Sequence, residues 1–192
     1  MDFYKLTKNQ FKSLAILATD TRKYQRYDTG MRVGEIAGLK KEDIYENYIY
    51  VHRTQTRHKE DGKDVYEIRN YPKSDASIRK IAICSKAKPI VKQLLKMSFG
   101  RDVIFQKEEK LVTIHALTCA LYYACEKVGI PERSMHVLRK TFATHLIDAG
   151  IEPAVIINQM GHSEFSTTTE HYYYNDKSLG QISDCVNRAI DF

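Results

Sequence analysis

The hydrophobic pattern of this chain changes period partway along, and that switch limits the fold more than any other feature. From Asn47 to Ile83, three runs rich in β-branched and aromatic residues replace the helical spacing found on either side: about 48–56, 64–70 and 78–83. Asp61-Gly62 lies between the first two runs and is a hairpin signal, because both residues tolerate the left-handed backbone of a tight turn. Pro72-Lys73-Ser74-Asp75 supplies a turn between the second and third. A three-stranded antiparallel sheet this small needs helices packed on one face to be stable. The expected fold is therefore α+β and mainly α: one helical domain over residues 1–192 with a small three-stranded antiparallel sheet.

The flanking segments supply those helices. Thr7-Lys8-Asn9-Gln10 has capping-box spacing, and Phe11, Leu14, Ala15 and Ala18 follow at helical period, predicting a helix over about 8–18. A second helix is expected to begin at Gly30 or Met31, with Val33, Ile36 and Ala37 as its buried stripe. After Ser85, Ile90, Val91, Leu94 and Leu95 mark one helix; Ile114, Leu117, Leu121 and Ala124 mark another, ended by Gly129-Ile130-Pro131. Ser134 suits an N-cap for a helix with core stripe Met135, Leu138, Phe142 and Leu146, stopping at Gly150. Pro153 opens a short helix that ends at Gly161. Thr167 and Glu170 offer another capping box, and Leu179, Ile182, Val186 and Ile190 form an amphipathic tail.

Composition narrows the functional class. The 192 residues are 43% hydrophobic, enough for a real core, and Lys plus Arg exceed Asp plus Glu by 30 to 24. The resulting charge of +6 agrees with a polyanionic partner without requiring one. Cys84, Cys119, Cys125 and Cys185 form no C-x-x-C pair and read as reduced thiols, and no metal-ligand spacing appears. No signal-peptide core is present, and no apolar run approaches the ~20 residues that span a bilayer. These features read as a soluble cytoplasmic protein without a metal or organic cofactor and without a membrane.

The chemistry-bearing residues are cationic and phenolic. His136 and Arg139 are three apart on the helix after Ser134 and share a face, while Met135, Leu138 and Phe142 take the face expected to be buried. An arginine fork binds two non-bridging phosphate oxygens, and Arg32 is the candidate for a second fork. Glu35, three residues after Arg32, is read as its structural support. Lys73, at a turn tip, is placed to protonate a leaving oxygen. Arg79 and Lys80, opening the third strand run, are read as touching backbone phosphates or solvent. His162 follows Gly161 at a helix end, where it either bonds a phosphate oxygen or caps the helix. Tyr172, Tyr173 and Tyr174 point ~100° apart on a helix, so at most one of them faces a pocket. A cationic pocket lowers a phenol's pKa from ~10 and so suits tyrosine attack on phosphorus.

Taken together, these segments resemble the catalytic domain of the tyrosine recombinases, the integrases of phages and conjugative transposons. Thr29-Gly-Met-Arg-Val-Gly-Glu-Ile36 is similar to the family's first arginine box, and Lys73-Ser-Asp-Ala-Ser-Ile-Arg79 to its lysine segment. The stretch from His136 to His145 resembles the second box and that from Met160 to Tyr172 the third, all in the family's order. The resemblance implies the tyrosine recombinase fold and a metal- and ATP-independent reaction: the tyrosine attacks a DNA phosphodiester, leaving a 3′-phosphotyrosyl link and a 5′-hydroxyl. Strand exchange through a Holliday junction then integrates or excises a mobile element. Carried over, Arg32, Arg139, His136 and His162 hold the transition state, Lys73 is the general acid, and Tyr172 is the nucleophile with Tyr173 as runner-up. Many relatives place that tyrosine nine residues after the third-box histidine, where this chain has His171; Tyr172 is the tenth.

The implied partners are double-stranded DNA, three further copies in a tetramer, and an accessory DNA-bending or directionality factor, with residues 179–192 docking on a neighbouring protomer. The family's N-terminal core-binding and arm-binding domains are read as absent from these residues, which leads to an expectation of weak, salt-dependent DNA binding. The segment before Thr29 is shorter and more polar than the apolar helix usual there. Two alternatives remain: relaxation of DNA like a type IB topoisomerase, against which the Ser-Thr-Thr end of the third box argues, and an inactive DNA-binding module, against which every expected position being filled argues.

Overall fold

The computed structural model describes residues 29–70, 77–85, 87–97, 102–107, 110–127 and 129–162. The helix expected over 8–18, the Pro72–Asp75 turn with Lys73, the capping box at Thr167, the tyrosine run and the tail from Leu179 lie outside the described residues. What is described is a mixed, mainly helical fold with small antiparallel sheets, as the period switch requires.

The first helix, α1 (Val33–Ala37), is a single short stretch beginning two to three residues later than expected. Arg32 is its N-cap in extended conformation, and Glu35 at the third position accepts from the Arg32 amide at 2.7 Å, so the acidic side chain satisfies a backbone donor that the helix cannot. Ile36 and Ala37 are buried and Val33 packs against the same core.

The run expected over 48–56 is two strands, β1 (Tyr48–Val51) and β2 (Thr54–Glu60). They are followed by β3 (Lys63–Arg69) and β4 (Arg79–Ala82). β2 and β3 form the hairpin predicted from Asp61-Gly62, and both turn residues have positive φ, 50° and 75°. β4 pairs with β1 and not with β3, in antiparallel register Val51↔Arg79. The three strands expected in one sheet are thus spread over two separate ladders. The break falls at His52-Arg53, whose side chains turn to the carboxylates of a 3₁₀ turn (Lys41–Asp43): His52 Nε2 lies 2.8 Å from Asp43, and Arg53 bonds Asp43 and Glu42. Those partners satisfy two polar side chains at the interruption between β1 and β2.

Period-2 alternation sets the inward face. Ile49 and Val51 on β1 and Arg79 and Ile81 on β4 are buried, while Lys80 and Ala82 face outward. Lys80 remains exposed as expected, its ammonium 5.0 Å over the Tyr48 ring. Against these strands pack α2 (Lys88–Met97) through Val91 and Leu94, and α3 (Ile114–Lys127) through Leu117 and Leu121. β5 (Gln106–Lys107) and β6 (Lys110–Leu111) form a two-residue ladder before α3, beside the fully buried Phe105.

α4 (Met135–Asp148) starts as the sequence requires, with Ser134 Oγ accepting from the Val137 amide at 3.3 Å. α5 (Pro153–Met160) starts with Pro153 in its first turn and ends in the left-handed Gly161. Met135 and Leu138 join the main core, whereas Ala143, Ile156 and Met160 form a second cluster between α4 and α5. Gln159 ties α5 to β4: its side-chain Oε1 accepts from the Ala82 amide at 3.1 Å and its Nε2 donates to the Lys80 carbonyl at 3.3 Å. Among the described residues no helix is long and apolar enough to cross a membrane.

Candidate active site

Five charged or polar residues, Arg32, Glu35, Arg79, Arg139 and His162, converge from segments far apart in sequence where α1, β4, α4 and α5 meet. Arg32, at the head of α1, donates from Nη2 to the Gly161 carbonyl at 3.0 Å and from Nη1 to Glu35 Oε1 at 2.9 Å and Ser77 Oγ at 3.4 Å. Its side chain keeps 41% of its surface exposed. Arg139 is only 4% exposed and donates to the Gly30 and Met160 carbonyls and, at 2.8 Å, to His162 Nε2. Its two carbonyl partners precede Arg32 and His162 by two residues each, so Arg139 holds together the two chain segments that carry them.

An arginine N–H only donates, so His162 Nε2 accepts here and carries no proton. The electrostatics agree. Burial, then the charges of Arg139, Arg32 and Arg79, lower the imidazole's pKa from 6.5 to about 4, with Glu35 opposing. His162 is therefore neutral at pH 7. Glu35 behaves oppositely: burial pushes its carboxyl upward, but hydrogen bonding and charge from Arg79 and then Arg32 outweigh that, and it stays ionised with its pKa lowered.

Two expectations need correction. Arg139 does not share a solvent face with His136: His136 is exposed and Arg139 buried. The buried arc of α4 runs through Met135, Leu138, Arg139 and Ala143, because Met135 and Leu138 pack into the main core and Ala143 into the second cluster, so Arg139 lies within the apolar stripe. Arg79 does not face solvent or a phosphate backbone. Its side chain is 1% exposed and forms a two-pronged ion pair with Glu35, Nη1–Oε1 at 2.9 Å and Nη2–Oε2 at 3.0 Å. Strand alternation held the signal for this, since Arg79 shares a parity with the buried Ile81 on β4 and with Ile83 just beyond it.

Glu35 supports Arg32 as expected, through both its amide and its guanidinium. Ser77, Gln159 and Gly161, which the sequence did not single out for this role, complete the frame. Gly161 has φ of +63°, and a Cβ there would lie 2.8 Å from Arg79 Nη1; glycine suits both the helix end and the close approach. Lys73 and Tyr172 lie outside the described residues. Among the described residues no three His, Cys, Asp or Glu side chains gather as a metal-ligand group.

The fold is mainly helical with small antiparallel sheets, and three arginines, one glutamate and a neutral histidine meet at the junction of four of its elements. The Phage integrase family is matched over residues 25–178, and the chain belongs to that family. It is 29% identical over 188 residues to a tyrosine recombinase XerC-like protein of Caldanaerobacter subterraneus subsp. tengcongensis, covering 87% of this chain and 46% of that protein. The prophage integrase IntR of Escherichia coli strain K12 is 26% identical over 185 residues, covering 81% of this chain and 43% of IntR. The chain thus spans about half the length of the curated relatives it matches. Among solved structures, the Tn1549 transposon integrase in complex with circular intermediate DNA superposes with a TM-score of 0.69 at 22% identity, over 95% of this chain and 60% of that one. XerA recombinase superposes at 0.60 with 24% identity, over 100% of this chain and 66% of that one. These superpositions bear out the tyrosine recombinase catalytic fold.

Proposed function

We propose that this chain is the catalytic part of a site-specific DNA recombinase of the integrase type, which cuts and rejoins DNA through a 3′-phosphotyrosyl intermediate. The observation that carries the reading is the convergence of Arg32 and Arg139, from segments up to about 130 residues away in sequence, on the end of α5: Arg32 bonds the Gly161 carbonyl, and Arg139 bonds the Met160 carbonyl and the His162 ring. Arg32, two-fifths exposed, is the guanidinium open to a scissile phosphodiester. Arg139, buried with Nη1 and Nη2 bonded to the Gly30 and Met160 carbonyls and to His162, adds positive charge behind the neutral His162 in a preorganised, low-dielectric setting, which stabilises charge developing on phosphorus. His136, exposed one turn before Arg139 on α4, adds a further donor. Tyr172 attacks phosphorus, the bond to the 5′ oxygen breaks, and the Lys73 ammonium protonates that oxygen. The reverse attack by a 5′-hydroxyl of a partner strand rejoins the DNA. Because the link conserves the bond energy, no nucleotide cofactor is required. Double-stranded DNA is the substrate, and exchange between two duplexes calls for four copies of the protein; the DNA-bound integrase structures among the relatives support the DNA part of this reading.

The test is a nicked suicide duplex carrying the ends of the protein's own mobile element, from which the cleaved strand diffuses away. A covalent protein–DNA adduct is expected from the native chain and none from Tyr172→Phe. An adduct that persists in Tyr172→Phe removes Tyr172 as nucleophile and turns attention to Tyr173. No adduct from the native chain on its true site points to an inactive binding module, and plasmid relaxation without strand exchange points to topoisomerase-like activity.

A further inference from the structure

All three nitrogens of the Arg79 guanidinium donate inside the protein. Nε donates to the Gln159 carbonyl at 2.9 Å, Nη1 to the Ser77 carbonyl at 3.0 Å and to Glu35 Oε1, and Nη2 to Glu35 Oε2. With its side chain 1% exposed, Arg79 has no face to offer a substrate. Its partner carboxylate is shared: Glu35 Oε1 also receives Arg32 Nη1, and Oε2 receives the Arg32 amide. One carboxylate therefore grips Arg32 at both its backbone and its guanidinium, and Arg79 grips that carboxylate with both prongs. At the other end, Arg79 holds the last turn of α5 through Gln159 and lies against Gly161, whose carbonyl receives Arg32 Nη2.

We propose that Arg79 is a positioning residue of this active site, which orients Arg32 through the shared Glu35 carboxylate and sets the Gly161-His162 end of α5 against it. The proposal rests on the function proposed above. A buried ion pair is a weak stabiliser compared with well-packed apolar residues, so simple stability explains this arrangement poorly. The bonds are directional, and each is made to a segment that carries a candidate site residue. Lysine keeps the charge but has no planar fork, and so cannot reproduce this geometry.

The experiment compares native protein with Arg79→Lys in the full chain on two suicide duplexes, one with an ordinary scissile phosphodiester and one with a single methylphosphonate there. The methyl group removes the negative charge that an oriented arginine serves. Arg79→Lys is expected to keep its circular dichroism spectrum and to bind duplex within about threefold of native, while adduct formation on the phosphodiester slows about 100-fold, the scale of a small misplacement of a catalytic group. On the methylphosphonate the loss shrinks to about tenfold or less, in parallel with Arg32→Ala, because orientation for charge matters less there. An equal loss on both duplexes overturns the proposal.

A DNA-free readout separates its failure from that of the recombinase reading. Arg32 side-chain Nη–H resonances are expected to be resolved in the native protein, where rotation is restrained, and to collapse in Arg79→Lys. Unchanged Arg32 resonances overturn the positioning role whether or not an adduct forms. Should Arg79→Lys fail to fold, Glu35→Gln combined with Arg79→Gln removes both charges and is held to the same two outcomes.

Discussion

At the scale of single residues, the site depends on charges held where they are strongly coupled. His162 has its pKa lowered to about 4 in the folded chain, against about 6.5 unfolded, so the unfolded state binds more protons between those values. Stability is fully present above about pH 6.5 and declines as pH falls toward 4, by roughly 3 kcal/mol. Urea midpoints measured from pH 4 to 7 are expected to show that slope, and His162→Gln to flatten it; a native profile already flat from 4 to 6.5 would contradict the neutral-histidine assignment. Gly161→Ala is expected to cost about 1–3 kcal/mol, from left-handed strain plus displacement of Arg79, as read from denaturant midpoints. Arg32, Arg139 and His162 were each legible from their boxes. Arg79 was not, because an arginine read alone belongs to solvent, and only its strand parity with Ile81 hinted otherwise. The burial of Arg139 was equally hidden, since i, i+3 spacing says which residues share a face but not how wide an arc a helix will bury.

At the scale of elements, local chemistry set most starts and stops. Ser134, Pro153, Gly161 and Asp61-Gly62 each perform the capping or turning role their residue type favours. Removing the Ser134 cap with Ser134→Ala is expected to lower stability by about 1 kcal/mol, seen as a lower thermal midpoint with little change in the far-ultraviolet spectrum. The joint between α5 and β4 is harder to read in advance, because Gln159 pairs with strand backbone 77 to 79 residues away. Gln159→Leu removes the partner of the Ala82 amide and Lys80 carbonyl, both open to water, and is expected to cost about 0.5–1.5 kcal/mol in urea unfolding. Strand existence followed from composition and alternation, but strand pairing did not. β4 pairs with β1, while His52-Arg53 between β1 and β2 bind Asp43 and Glu42, and both are tertiary facts.

At the scale of the whole molecule, the charge of +6 and a cationic site predict binding to duplex DNA dominated by phosphate contacts. Affinity measured by fluorescence anisotropy from 50 to 200 mM salt is expected to fall steeply, linear in log–log form, because each neutralised phosphate releases counterions. A tight complex indifferent to salt would contradict it. The sequence by itself determined the mixed, mainly helical class, the hairpin at Asp61-Gly62, the caps of α4 and α5 and the family, because these rest on period, turn chemistry and short motifs that act over a few residues. Only the tertiary structure decided which strands pair, that Arg139 and Arg79 are buried, and that Glu35 is shared between two arginines. The physical reason is that a charged side chain takes its environment from whatever carbonyl or carboxylate the fold brings within 3 Å, and for Arg79 those partners come from as far as 80 residues along the chain.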